Sequence, residues 1–282
     1  MVSVGVHVSI AGSIDLAVDR AKKIGCDTFQ IFSRNPRGWK FKDLTEEQVK
    51  AFREKIKESG ITTPVDHMPY LPNLASPEGD NYAQSVATLK AELARSGQLG
   101  IPYLVTHLGH HKGAGKEAGY EGVIGAVTEA FSAVENDVML LLETTANEKN
   151  SVGGTFEDIR HILDGIGQPK RVGVCFDTCH TFVAGYELRT PEGIGATLDH
   201  FDEFIGLSRM KVIHLNDAKG EFGSHLDRHE HIGMGSIGEE GFSHILHNPV
   251  FSQLPLICET PVDERRDDVG NIKTVRELAG PE

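Results

Sequence analysis

The chain has 282 residues, 39% hydrophobic and 24% charged, with a formal net charge of −13. That supplies a full apolar core within the size range of a one-domain α/β barrel. The acidic balance excludes a general nucleic-acid binder held by its overall surface charge, because phosphate contacts need Lys and Arg.

Apolar β-rich runs alternate with helical patterns from end to end. The first strand is expected over Val4 to Val8. The helix after it carries Ile14, Ala17, Val18, Ala21 and Ile24 on one face and stops at Gly25. Strand two spans Thr28 to Phe32. Its helix opens at Thr45 with Gln48 three residues on, a capping-box pattern, buries Val49, Phe52 and Ile56, and ends at Gly60. Strand three, Thr63 to His67, tolerates Pro64 at its start, and a helix with Tyr82, Val86, Leu89 and Leu93 follows. Strand four, Tyr103 to His107, leads to a helix with Val123, Val127, Phe131 and Val134, and strand five is Val138 to Glu143. Thr155 and Asp158 open the next helix, which buries Phe156, Ile159 and Ile162. Strand six is Val172 to Asp177, and a helix starting near Pro191 buries Leu198, Phe201 and Ile205. Strand seven is Lys211 to Leu215. A short helix around Phe242, Ile245 and Leu246 precedes strand eight, Pro255 to Glu259, and a last helix holds Ile272, Val275 and Leu278.

Eight strands each followed by a helix, with no linker, predict a single-domain (β/α)8 barrel over residues 1–282. The competing doubly wound sheet would carry a glycine-rich phosphate loop after strand one, where this chain reads HVSIAGSI. No apolar run approaches the ~20 residues needed to span a bilayer, and the N-terminus lacks the basic region of a signal peptide. Cys26, Cys175, Cys179 and Cys258 form no C-x-x-C pair. A cytoplasmic protein with small packing cysteines, not ligands, is expected.

Six consecutive strands finish on or beside a metal-type side chain: His67, His107, Glu143, Asp177, His214 and Glu259. In a barrel these ends ring the face where active sites form. His180, Asp227 and His229 lie in the loops of the same face, whereas His110, His111, His225 and His231 read as solvated or supporting loop residues. So many carboxylates in one mouth would protonate unless cations held them. The mixed N/O donor set suits Zn²⁺, with Mn²⁺ or Fe²⁺ as substitutes.

The long motifs GVCFDTCHTFVAGY (173–186) and HLNDAKGEFGSHLDRHEHIGMGSIG (214–238), with the opening HVSIAGS and the N-P-R-x-W of residues 35–39, are similar to the signatures of endonuclease IV, the metal-dependent family of apurinic/apyrimidinic endonucleases in base-excision repair. The resemblance covers nearly the whole chain. It implies three zinc ions: one held by His67, His107 and Glu143, a second by the bridging Glu143 with Asp177, His214 and Glu259, and a third by His180, Asp227 and His229. It also implies incision 5′ to an abasic site in duplex DNA, leaving a 3′-hydroxyl and a 5′-deoxyribose phosphate, with a metal-bound hydroxide as nucleophile and Glu143 and Glu259 positioning it. The chain departs from the pattern in the loop ETTANEKN (143–150), where Thr144 stands for the usual Asn and the family's glycines are missing, and at Ala218, where Ser is common. Neither departure removes a ligand.

DNA recognition is expected from SRNPRGWK (33–40), with Arg34, Arg37 and Trp39, and from Tyr70; Arg37 and Tyr70 match family positions that enter the duplex. A missing base leaves a gap that side chains can fill. Lys112, Lys116, Lys149, Lys219 and Arg265 are further phosphate-contact candidates. A monomer acting without an obligatory protein partner is expected. Two rival functions remain: a metal-dependent sugar isomerase or epimerase on a similar barrel, and a non-catalytic protein that binds damaged DNA.

Overall fold

The computed structural model describes residues 2–168 and 170–280. The elements run β1 (Val4–Val6), α1 (Leu16–Ile24), β2 (Gln30–Ile31), α2 (Glu46–Ser59), β3 (Val65–His67), α3 (Asp80–Leu99), β4 (Tyr103–Thr106) and α4 (Lys116–Ala133). They continue through β5 (Met139–Glu143), α5 (Phe156–Ile166), β6 (Val172–Asp177), α6 (Thr178–Ala184), α7 (Pro191–Phe204), β7 (Met210–His214), β8 (Asp217–Ala218), β9 (His229–Glu230), α8 (Gly238–His247), β10 (Leu256–Cys258) and α9 (Asp268–Ala279). Eight parallel strands form one sheet in the order β1-β10-β7-β6-β5-β4-β3-β2, and β8 and β9 make a separate antiparallel ribbon. A bridge between His7 and Gln30, with the Val8 N–H donating to the Gln30 carbonyl at 2.8 Å, joins the two ends of the sheet. The fold is the expected TIM barrel.

Successive strand residues face opposite sides, and the two sides are packed differently. Toward the helices lie Leu104, Leu140, Leu142, Val174, Phe176 and Ile213, part of the large outer core. Inside the barrel Val65, Val105, Leu141, Cys175, Val212 and Ile257 form a second, separate apolar cluster. The interior is therefore a packed plug, as barrels of this size require. β6 is buried at every position, the continuous pattern of a strand covered on both faces.

Caps agree with the sequence. Thr45 and Gln48 form the reciprocal capping box, Thr155 accepts from the Asp158 N–H, and Pro191 sits in the first turn of α7. The ladders are shorter than the expected strands, β2 most of all, because tilted barrel strands overlap over only part of their extended length. Two elements were not expected. Asp177 caps a helical turn, α6, that follows β6 without a loop, and the long segment after β7 folds back so that Asp217–Ala218 pairs with His229–Glu230.

The seam between β1 and β2 is close. A Cβ placed on Gly5 would stand 1.7 Å from the Thr28 carbonyl oxygen, an impossible approach to backbone. Gly5→Ala should lower unfolding free energy by about 3 kcal/mol or more, at the upper end for overpacking, measured as a urea midpoint. A midpoint within error of the parent would show that the seam yields freely.

Candidate metal centre

Each of the six strand-end candidates lies two residues beyond a member of the interior plug: His67 after Val65, His107 after Val105, Glu143 after Leu141, Asp177 after Cys175, His214 after Val212 and Glu259 after Ile257. The period of two therefore aims all six up the barrel axis, as a polar layer capping an apolar one. Glu143, Asp177 and His214 are fully buried. The α6 turn adds His180, and the β8–β9 ribbon brings in Asp227 and His229.

The nine side chains fall into three groups whose donor atoms lie within 4.8 Å of one another: His67, His107 and Glu143; Glu143, Asp177, His214 and Glu259; and His180, Asp227 and His229. Glu143 joins the first two. Its Oε2 lies 3.3 Å from His67 Nε2 and 3.2 Å from His107 Nε2, and its Oε1 lies 2.9 Å from His214 Nδ1. Asp177 divides its carboxylate: Oδ1 accepts the His180 backbone N–H at 2.8 Å and Oδ2 accepts from Asn216 Nδ2 at 2.8 Å. Asp177 and His180 thus fall in different groups, although only three residues apart. Cys179 also lies close to Asp177 and His229. Its thiol packs toward the Arg228 carbonyl, and burial pushes its pKa far up.

Hydrogen bonds fix the imidazoles. His67 Nδ1 faces the Met68 carbonyl at 2.7 Å, His180 Nδ1 the Thr144 carbonyl at 2.9 Å, and His229 Nδ1 the Glu259 carbonyl at 3.1 Å. A carbonyl can only accept, so each Nδ1 donates and each Nε2 is left facing the cluster. This is the usual orientation of metal-ligating histidine. The Thr144 hydroxyl accepts the Asp177 N–H at 2.9 Å, so this departure from the family pattern still supports a ligand.

The electrostatics also demand positive charge among the acids. Burial opposes ionisation of Glu143, but the imidazoles of His107 and His214 outweigh it and hold the carboxylate well below its ordinary range. Burial likewise opposes the charge of Glu259 and Asp227. His214 and His67 hold Glu259 at about 2, and the hydrogen bond from His180 holds Asp227 at about 2. His180 goes the other way: burial would neutralise it, yet Asp177 and Asp227 raise it well above its ordinary value. Ionised carboxylates, imidazoles aimed inward and oxygen–nitrogen donors only are a donor set that fits divalent metal.

The expected DNA contacts separate. Tyr70 is 70% exposed, with its ring edge-on to Phe32 at 4.8 Å. It lines the cavity of about 480 Å³ above the cluster. Arg37 is exposed, and Trp39 is half-buried. Arg34 does not reach the mouth, which corrects the expectation for this residue. It is buried, with Nε 2.6 Å from the Glu92 carboxylate and Nη1 donating to the Trp39 carbonyl at 2.9 Å. Charge on a buried guanidinium needs a partner, and the α3 acid provides it. Lys116 pairs with Asp158, and Arg265 with Glu230 and Asp263. Two residues at the mouth were not singled out from sequence, His7 and Gln30. His7 follows β1 directly and Gln30 opens β2, the two bridged across the seam, and the period of two counted from Gly5 and Thr28 reaches them.

The family described as xylose isomerase-like TIM barrel matches residues 18–279, and the chain belongs to it. A D-tagatose 3-epimerase-like protein shares this fold at 18% identity, with a TM-score of 0.70 over 96% of this chain and 94% of that one. The likeness narrows at higher identity. A Methanoculleus marisnigri protein named "Probable endonuclease 4" is 65% identical over 99% of this chain and 100% of its own. The crystal structure of endonuclease IV from Thermus thermophilus superimposes with a TM-score of 0.87 at 35% identity, covering 98% of both chains. The chain is a member of the endonuclease IV family.

The buried Arg34–Glu92 pair generates a prediction. Removing one partner leaves a buried charge, so Glu92→Ala should cost about 3–5 kcal/mol in urea unfolding and open segment 33–44 to limited proteolysis. Unchanged stability and an uncut loop would show that the pair does not anchor it.

Proposed function

We propose that this protein hydrolyses the phosphodiester bond 5′ to an abasic site in duplex DNA, leaving a 3′-hydroxyl and a 5′-deoxyribose phosphate, with three zinc ions as its cofactors. Membership of the endonuclease IV family supports this reading. The observation that carries it is the third group, His180, Asp227 and His229, beside the two groups joined through Glu143. A sugar epimerase working with one or two ions has no task for that third group.

In this reading His67, His107 and Glu143 hold one ion; Glu143, Asp177, His214 and Glu259 a second; and His180, Asp227 and His229 the third. Such ions, when bound, acidify water toward a pKa of about 7 and neutralise phosphoryl oxygens, and Mn²⁺ or Fe²⁺ suits the same donors. The chain's own contribution is arrangement and charge. Glu143 and Glu259 remain ionised as ligands and position the attacking water; neither carries the proton. Four carboxylates against three dications would leave the mouth positive, so a phosphodiester is drawn to it in an otherwise acidic protein.

Selectivity rests on the rim. Tyr70, braced on Phe32, is an exposed apolar wedge of the kind that enters a duplex where a base is missing. Arg37 and Trp39 flank it on the loop that Arg34 ties down, and Lys112, Lys149 and Lys219 supply phosphate contacts. The four cysteines are all free and buried, in keeping with work in a reducing cytoplasm.

A labelled duplex with one tetrahydrofuran abasic analogue tests this. The zinc-loaded protein should cut once, 5′ to the analogue, and Glu143→Ala or His107→Ala should slow the cut by more than about 10²-fold. Binding of the duplex without cleavage by fully metallated protein would favour the damage-binding alternative. Elemental analysis should find about three zinc ions per chain, falling to about two in Asp227→Ala; one or two in the parent would favour the epimerase.

A further inference from the structure

Gln30 belongs to none of the three ligand groups, yet its side chain is fully buried among them. Its Nε2 lies 2.6 Å from Glu259 Oε1 and 3.1 Å from His7 Nδ1, and its Oε1 lies 2.8 Å from His214 Nε2. One amide thus touches two imidazoles and a carboxylate from β1, β7 and the end of β10.

The polarity of that amide is fixed by elimination. The Glu259 carboxylate can only accept, so the Gln30 atom 2.6 Å away is the amide nitrogen; the flipped amide would set two acceptors against each other. The same NH₂ group then donates to His7 Nδ1, which must be unprotonated, and the His7 proton stands on Nε2. The amide oxygen in turn requires a proton on His214 Nε2. That leaves His214 Nδ1 as its ligating atom, the one facing Glu143 at 2.9 Å and Glu259 Oε2 at 3.3 Å. His67, His180 and His229 use the opposite nitrogen, because backbone carbonyls hold their Nδ1 protons. His214 has no such carbonyl partner, and Gln30 takes that part.

We propose that Gln30 is a positioning residue which, through one amide, sets the tautomers of His214 and His7. His214 then presents Nδ1 to the second metal, and His7 presents a neutral Nε2–H donor to the wall of the mouth cavity that it lines. This rests on the metal-centre reading above. The Gly5–Thr28 approach has a role here, since it holds the β2 backbone where the Gln30 side chain can reach across the barrel.

Two variants separate the proposal from a filling role. Gln30→Met keeps the volume and removes both polar ends. Gln30→Glu keeps an acceptor for His214 but cannot donate to His7 or Glu259. Long-range ¹H–¹⁵N spectra of the zinc-loaded parent should show His214 protonated on Nε2 and His7 protonated on Nε2. Gln30→Glu should keep the first and move the His7 proton to Nδ1; Gln30→Met should lose the single tautomer at His7, and at His214 in the fraction of molecules that no longer hold zinc on its Nδ1. Zinc affinity at the weakest-held position and kcat for abasic duplex should fall about 10–100-fold in Gln30→Met, with KM unchanged because the grip on DNA lies in the loops. Parent-like tautomers and zinc affinity in both variants would overturn the proposal. A parent that binds zinc and gives these spectra but cuts no DNA would leave the positioning role standing and refute the endonuclease reading instead.

Discussion

Everything at the mouth of the barrel depends on one buried carboxylate whose two oxygens face different neighbours. Glu143 turns Oε2 to His67 and His107 and Oε1 to His214, with no exposed surface of its own. An isolated carboxylate there would cost several kcal/mol to bury. The imidazoles around it, with His180 a fourth at 3.5 Å from Oε1, make its charge tolerable, and it in turn makes theirs useful. The layer beneath, Val65 to Ile257, is dry and closely packed, so the polar layer cannot relax downward. The geometry of the six strand-end side chains is thus imposed by strand pleat and plug together, while His180, Asp227 and His229 are placed by the α6 turn and the segment that leads into β9.

Much of this was legible in the sequence because strands repeat every two residues. Six strand endings in succession point to one mouth, and an apolar residue stands two places before each, on the face that the His or acid shares. The supporting residues were harder to see. Gln30 and His7 obey the same spacing, but a glutamine near the start of a chain carries no sign of chemistry until its neighbours from β7 and β10 are in place. Arg34 shows the opposite failure. It sits in a basic loop that reads as DNA-facing, and its partner Glu92 lies 58 residues away on a helix. Pairings that distant follow from topology and not from local pattern. The α6 turn was missed although Asp177 is a good cap and Gly185 a good stop, because the metal-type spacing of Asp177 and His180 drew the reading toward a loop.

Acidic surface and anionic substrate are reconciled by concentration of charge. A diffuse basic surface would hold any duplex along its length, with affinity falling steeply as salt rises. On the proposed reading, a small mouth made positive by bound metal in an acidic body offers little to intact DNA and rewards only a backbone that can enter it. The loop holding Arg37 and Trp39 is tied down from beneath by Arg34, so a duplex gripped by that rim, as proposed, would find it already ordered and cost less conformational entropy on binding.

The sheet order has a consequence for the timing of synthesis. β1 pairs with β10, residues 4–6 against 256–258, and Glu259 follows directly. The ring cannot close until the strand made last has emerged beside the strand made first. Until then the chain carries most of its metal-type side chains but no closed mouth to gather them. A chain that stops short of β10 therefore lacks both Glu259 and the closed ring that would set the strand ends around one mouth.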